Sequence, residues 1–393
     1  MKTIEFSGHA GVRNDLSLER FKQDDLSAGV NVDIAKDGKI FRRNGTTEIL
    51  AGVMHSLYSD GNTTLVVDGG NLTQLDAAFG KTVLAPVVGT KLDYVTVNND
   101  VFWSDEYVSG IVAQGANRRW GVAVPPTPSF SIGNGNMVEG RYQVTMTYVR
   151  FDGHESGAPR STAIDVPANG GFTLTLTPSS NPLVELQRIY LSSVNGETPF
   201  LAAEVLNSAQ TLTLSDAPLS GPVVRTQFLG PMPSGQVVGY AFGRSYVPKG
   251  PYLWYSLPYE YELCDLRAGY IGFDTNVTTF APVSDGIFVG SARSVHWLGG
   301  TDPTSFERKQ VASFGAIRGT EQELPAHYLG HDGENHQGVV QAFMTSRGMC
   351  AGLEHGVLKN LTGGRYFPVA ANQGASILKV RGGTPLLTTT LFN

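Results

Sequence analysis

The side chains best able to do chemistry are gathered in one short stretch. His327, His331, Asp332 and His336 fall within His-Tyr-Leu-Gly-His-Asp-Gly-Glu-Asn-His. Imidazoles at these spacings in a Gly-containing loop can converge on a divalent ion, as zinc sites require. The same groups read as solvated loop polar residues, or as one edge of a mobile gate. Nothing else strengthens the metal reading, and no cofactor is expected. The serine-nucleophile elbow Gly-x-Ser-x-Gly is absent. So are the phosphate-binding P-loop and the zinc-protease His-Glu-x-x-His.

Carboxylates offer less than they promise. With 35 Asp and Glu, pairs for glycoside hydrolysis are available by number alone. The Ser-x-Asp-x-Gly-x-Thr-Trp repeats expected of a sialidase propeller do not appear. Aromatics form a second group: Tyr252, Trp254, Tyr255, Tyr259 and Tyr261. Such rings can stack on sugars, but aromatics alternating along a strand more simply fill a core. Tyr259 and Tyr261 lie past that strand, beside Pro258, so they are the expected exposed pair and candidates for a subunit interface. Cys264 and Cys350 are the only cysteines and sit in apolar runs, which predicts buried free thiols in a reducing cytoplasm.

Bulk composition narrows the class. Charged residues are only 16% of the chain, against about 25% in a typical domain. Such a surface must be built from Ser, Thr, Asn, Gly and Gln, which suits a chain partly covered in an assembly. The net charge of −6 removes the basic footprint of a nucleic-acid clamp. It leaves open a channel that DNA crosses without being held. No apolar signal core opens the sequence, and no run approaches the roughly 18 apolar residues of a membrane span.

The elements that would position these groups are short strands. A run, a tight turn and a second run recur at Leu65–Leu75, Tyr94–Ser104, Val237–Ser256, Ile287–Leu298 and Cys350–Leu361. Asp-Gly-Gly and Asn-Asn-Asp mark hairpin turns, because Gly and Asn tolerate positive φ. Trp103, Trp254 and Trp297 recur in the second strand of three copies. Hairpins repeating every 30–50 residues or so predict a β-propeller of five or six blades. A sixth, weakly marked unit would fall near Gln310–Tyr328. The final run, Ser376–Phe392, is expected to pair with an N-terminal strand and close the ring.

An insert interrupts the repeats. It follows the stiff linker Val124-Pro-Pro-Thr-Pro128, and Gly140–Arg150 then alternates cleanly, with Tyr142, Val144, Met146 and Tyr148 on one face. Seven short strands with turn signals between them read as a fibronectin-III or immunoglobulin-like sandwich. The expected division is residues 1–121 and 233–393 for the propeller, with 122–232 as the inserted sandwich. Helix is confined to a short turn within Asp15–Asp25, capped by Asp15 or Ser17.

Several segments then carry a resemblance. Gly11-Val-Arg-Asn-Asp15, Ala28-Gly-Val-Asn-Val-Asp-Ile34 and Asp37-Gly-Lys-Ile-Phe-Arg-Arg-Asn-Gly45 come first. Trp120-Gly-Val-Ala-Val-Pro-Pro126 and Leu253-Trp-Tyr-Ser-Leu-Pro-Tyr259 follow in order. Over most of its length the chain resembles the tail nozzle or hub proteins of short-tailed and related bacteriophages. The resemblance implies a non-enzymatic virion protein, assembled in the host cytoplasm as a hexameric ring. Its partners would be adaptor or tail-tube proteins and tail fibres or spikes, with double-stranded DNA passing through during ejection. Arg42 and Arg43 belong either to a plain hairpin or to a subunit contact or lumen. Two other functions stay open: a host-surface or glycan-binding tail module, and a polysaccharide-degrading propeller.

Overall fold

The computed structural model describes residue 9 and residues 11–34, 38–89, 91–218, 221–329, 338–381 and 384–393. Six four-stranded antiparallel sheets dominate the described residues, and five of them are blades. Blade 1 comprises Met54–Ser59, Thr64–Asp68, Asn71–Leu75 and Lys81–Pro86. Blade 2 comprises Asp93–Val97, Asp100–Ser104, Ser109–Ala113 and Ala116–Arg119. Blade 3 uses Gly239–Ala241, Arg244–Lys249, Tyr252–Tyr255 and Tyr270–Gly272. Blade 4 uses Val277–Val283, Gly286–Ser291, Val295–Gly299 and Glu307–Ala312. Blade 5 is Gln322–Pro325, Val339–Thr345, Gly348–Leu353 and Val357–Asn360. The architecture is an all-β, propeller-like array with an inserted sandwich.

Turn chemistry explains the hairpins. Gly69 and Gly70 both have positive φ, as do Asn98 and Asn99, so both turns have the twist that matches paired strands. Each blade then offers two apolar faces, because successive side chains point to opposite sides of a strand. In blade 2, Val101 and Trp103 pack toward blade 1, while Phe102 and Ile111 pack toward blade 3. In blade 4, Ile287, Val289 and Leu298 pack toward blade 3, whereas Phe288 and Trp297 pack toward Phe343 and Cys350 of blade 5. Every blade thus needs a neighbour on both sides to bury what it carries. Both thiols are free and buried in these interfaces, as expected.

The sandwich is inserted between blades 2 and 3. One sheet is ordered Ser129–Met137, Gly170–Thr175, Thr211–Leu214. The other is Thr162–Val166, Gly140–Arg150, Val184–Ser192, Pro199–Leu206. The inward face of Gly140–Arg150 is the one the alternation marked: Tyr142, Val144, Met146 and Tyr148 share one core with Phe172, Leu174 and Ile189.

Two expectations are corrected. The region near Gln310–Tyr328 is not a sixth blade: it holds the end of Glu307–Ala312 and the opening strand of blade 5. The C-terminal run does not pair with an N-terminal strand among the described residues. It folds on itself as a nine-pair hairpin, Gln373–Arg381 against Thr384–Phe392. Leu378, Leu387 and Leu391 lie against Met344 and Met349 of blade 5. Self-pairing satisfies the backbone of a long, apolar run locally, without a distant partner strand. Closure instead rests on side-chain and backbone hydrogen bonds at a seam, described below.

The N-terminal segment lies outside the blades. Gly11–Val12 pairs in parallel with Asp25–Leu26, and Val32–Ile34 pairs with Ile40–Arg42. Between them Leu18–Arg20 makes one 3₁₀ turn after Ser17, whose side chain makes no capping bond. Asn14 ties this segment to the C-terminal region through Phe367, whose N–H it accepts at 2.8 Å and whose carbonyl it donates to at 2.7 Å.

Candidate functional site

A cleft with a volume near 640 Å³ lies where the sandwich meets the propeller. Its floor is a buried ion network built from three separate parts of the chain. Glu262, from the segment after blade 3's third strand, accepts two parallel hydrogen bonds from Arg150, both at 2.9 Å. Arg150 is the last residue of the central sandwich strand. Arg118 of blade 2 adds a third bond at 2.8 Å, and the Gly121 N–H a fourth at 2.9 Å. The second edge of Arg150 is held by Asp152. Burial raises the Glu262 carboxyl, but Arg150 first, then His154 and Arg118, hold it below its ordinary range. Bidentate geometry with every oxygen satisfied is what makes such a pair tolerable in a buried site.

This network fixes the angle at which the sandwich leaves the propeller. Arg118 and Arg150 are already engaged by carboxylates, while Arg225 also lines the cleft. The cleft lacks a nucleophile paired with a base. His154 is largely buried, with Nε2 unpartnered, and burial lowers its pKa.

The predicted site residues are scattered. Tyr259 and Tyr261 both line the cleft but differ sharply. Tyr261 is half-buried and packs edge-on against Phe102 and Tyr240, while its carbonyl accepts the Trp120 indole N–H at 3.0 Å. Tyr259 is 77% exposed. It sits at φ +62°, a conformation that costs a non-glycine residue energy and that concentrates at functional positions. Its N–H is held by the Gly243 carbonyl at 2.7 Å, so the strained turn is fixed. Gly243 itself has φ +71°, and a Cβ there would press on the Tyr259 ring at 3.0 Å.

Neither Arg42 nor Arg43 lines the cleft; both are exposed at the end of the Val32–Ile34/Ile40–Arg42 hairpin, and Arg43 pairs with Asp33 at 2.9 Å. Asp37 of that turn lies outside the described residues. His327 sits in a 3₁₀ turn, Ala326–Leu329, edge-on to Tyr328. His331, Asp332 and His336 lie outside the described residues. Among the described residues no three of His, Cys, Asp and Glu cluster as metal ligands, and no helix is long and apolar enough to cross a membrane.

Two features were missed by reading the sequence. One is the Arg118–Arg150–Glu262 joint. The other is a polar seam between blade 1 and the C-terminal hairpin, around Lys91 and Asp93. Neither leaves a local motif, since the partners are more than a hundred residues apart.

No family model and no curated protein matches the chain. Solved structures do match at low similarity. BBS1N in complex with ARL6DN aligns at 12% identity over 86% of this chain and 91% of that one, with a TM-score of 0.33. The extracellular domain of the hybrid two-component system BT4673 from B. thetaiotaomicron aligns at 8% identity over 86% of this chain and 58% of that one, TM-score 0.24. PorZ, a type-IX secretion surface component of Porphyromonas gingivalis, aligns at 11% identity over 83% and 50%, TM-score 0.21.

Proposed function

We propose that this chain is a structural, non-catalytic subunit of a bacteriophage tail nozzle or hub, and that copies of it close into a ring around the path of the genome. One observation carries the reading. The N-terminal segment leaves Val30, Phe41, Ile49 and Val53 between 53% and 86% exposed. Apolar side chains concentrated on a thin segment outside the core mark a surface that another chain covers. The most economical occupant is a second copy, because the same chain that lacks a cover for these residues is also poor in charge. Three of the five segments resembling nozzle proteins lie in this same region. Six copies, contact with adaptor or tail-tube proteins and with fibres, and residence in the virion complete the proposal.

The net charge of −6 suits a conduit that DNA crosses quickly, since each phosphate neutralised by Lys or Arg adds affinity and salt dependence. Electron microscopy of the purified chain, or of virions containing it, tests the proposal. A closed ring with an axial pore able to admit duplex DNA is expected. A stable monomer or trimer, or a pore lined mainly by Lys and Arg, would sink it.

A second reading, a glycan-binding tail module, has its own observation. On blade 3, Tyr252 and Tyr270 are 44% and 40% exposed, with centroids 5.1 Å apart, and Trp254 stands 4.9 Å behind Tyr270. Retention of host cells or polysaccharide by the purified chain, lost in Tyr252→Ala, would favour it over the conduit.

A further inference from the structure

We propose that the C-terminal hairpin is a releasable wedge closing the propeller, and that protonation of Glu321 governs its release. The geometry comes first. Dry cores join blade 1 to 2, 2 to 3, 3 to 4, 4 to 5, and blade 5 to the hairpin. The blade 5–hairpin junction also borders a cavity near 520 Å³, whereas the remaining junction, between the hairpin and blade 1, holds no apolar core cluster among the described residues and a cavity near 370 Å³. Its lining includes His55 and Tyr58 of blade 1, Lys91 and Asp93, and Ser376 and Ile377 of the hairpin.

A small set of polar bonds spans this seam. The Lys91 ammonium, on the linker between blades 1 and 2, donates to the carbonyls of Gly319 and Gly374. Arg318 donates back to the Lys91 carbonyl at 3.3 Å. The hairpin grips the segment just before Glu321 twice: Gly374 N–H to the Arg318 carbonyl at 2.8 Å, and Ser376 hydroxyl to the Thr320 carbonyl at 2.8 Å. Gly319 has φ +73°, and a Cβ there would collide with the Lys91 ammonium. The clasp therefore needs glycine at that point.

Glu321 sits directly behind the clasp. Its Oε1 is sealed from solvent and has no hydrogen-bond partner. The charged groups facing it are Asp93 and Lys91 from the blade 2 side, and the nearby Thr279 hydroxyl of blade 4 is itself buried without a hydrogen-bond partner. Arg318 acts on both Lys91 and Asp93. Tyr94 adjoins Asp93, and His55 and Tyr58 stand across the cavity. The hairpin brings no charged group into the cavity. Docking it thus places two carboxylates side by side in a desolvated site.

Burial first, and the neighbouring Asp93 second, raise the Glu321 carboxyl to about 7. Asp93 is raised as well, by burial. A group whose folded pKa is raised stabilises the docked state below its unfolded pKa, and that stabilisation is lost as pH rises through the folded value. The hairpin is held best in acid and loosens toward neutral pH. Lys91 and His55 are lowered by burial, so they act in the opposite sense and tighten the seam as pH rises. The sign of the effect separates the groups.

The test is hydrogen–deuterium exchange of the full chain at pH 5.0 and 7.5, corrected for intrinsic exchange rates. Peptides covering 373–392 report the hairpin, and peptides covering 339–353 report blade 5. Opening of the hairpin should rise roughly ten- to fifty-fold between the two pH values, with blade 5 unchanged. Glu321→Gln should cut that rise to a few-fold, and His55→Gln should leave it in place. Lys91→Met should raise hairpin opening at both pH values. The proposal is overturned if the hairpin tightens with rising pH, if it opens only together with blade 5, or if Glu321→Gln keeps the full dependence. Ring assembly plays no part in this readout, so it stands or falls apart from the nozzle reading.

Discussion

Two kinds of junction hold this propeller together, and they differ in physics. The junction of blades 4 and 5 is dry: Phe288, Trp297, Phe343 and Cys350 interlock, and Phe288 and Trp297 centroids stand 4.9 Å apart. Its strength scales with apolar area removed from water, about 25 cal/mol per Å², and is insensitive to pH. The hairpin–blade 1 seam and the sandwich joint are polar. Their strength depends on every donor finding an acceptor, and they fail through one unpaired charge rather than through lost area. Dry junctions make the array; polar ones set where it closes and how the sandwich is aimed.

The largest expected effect comes from breaking the sandwich joint. Glu262→Ala strands Arg150 and Arg118, and Arg150 has only 3% side-chain exposure. Removing one partner of a buried pair costs about 3–5 kcal/mol. Two guanidinium groups lose a shared carboxylate at once, and Arg150 then keeps only Asp152. Chemical denaturation should show the loss. A cost under about 1 kcal/mol would mean that solvent enters the joint and the comparison is overdrawn.

Trp297→Ala tests the dry junction. The ring is 7% exposed and packs on Phe288, with Gly286 and Gly356 flat against it. The cost should be about 3–5 kcal/mol, and it should be the same at pH 5 and pH 7.5. A pH-dependent cost would show that the dry and polar junctions are coupled.

Why some of this could be read from sequence, and some not, follows from distance along the chain. Hairpins and the sandwich strand Gly140–Arg150 were legible because turn chemistry and period-two alternation act over a few residues. The blade frame was harder. The visible repeats were different parts of successive blades: Leu65–Leu75 is strands two and three of blade 1, while Tyr94–Ser104 is strands one and two of blade 2. That offset made the spacings look irregular, although the first strands of consecutive uninterrupted blades begin about 40 residues apart, as propeller repeats do. It also invited a sixth unit. Tyr261 was read as exposed because it follows Pro258, but the core between blades 2 and 3 captures its ring. Arg118, Arg150, Glu262, Lys91 and Glu321 carried no signal at all, since a lone charged residue in a strand or loop looks the same whether its partner is water or a side chain a hundred residues away.

Asp105 lies between the two extremes. It is 2% exposed, and it accepts N–H bonds from Val88, Gly89, Tyr107 and Val108 at 2.7–3.0 Å. Burial raises its pKa, but these four donors outweigh burial and hold it below the ordinary 3.8. A depressed carboxyl stabilises the fold above its unfolded pKa, and that contribution fades as pH falls through the folded value. Asp105→Asn should therefore cost about 2–3 kcal/mol at pH 7 and progressively less below about pH 4. A cost that stays constant into acid would assign the effect to packing, not charge.

The smallest effect on stability is expected at Arg43, and there the contrast turns from folding to assembly. Its pair with Asp33 is exposed at the arginine, at 53%, and partly exposed at the aspartate, at 22%. Exposed pairs contribute about 0–1 kcal/mol, so Arg43→Ala should leave the melting temperature nearly unchanged. If the Val32–Ile34/Ile40–Arg42 hairpin forms a subunit contact, the doubly reversed variant Arg42→Glu with Arg43→Glu should shift the chain from ring to monomer in sedimentation velocity without altering its fold. If it is a plain surface hairpin, both variants should sediment as the unmodified chain does. Neither outcome depends on the dry or polar junctions inside the propeller, so a change in assembly with stability intact would locate the ring contact on this segment alone.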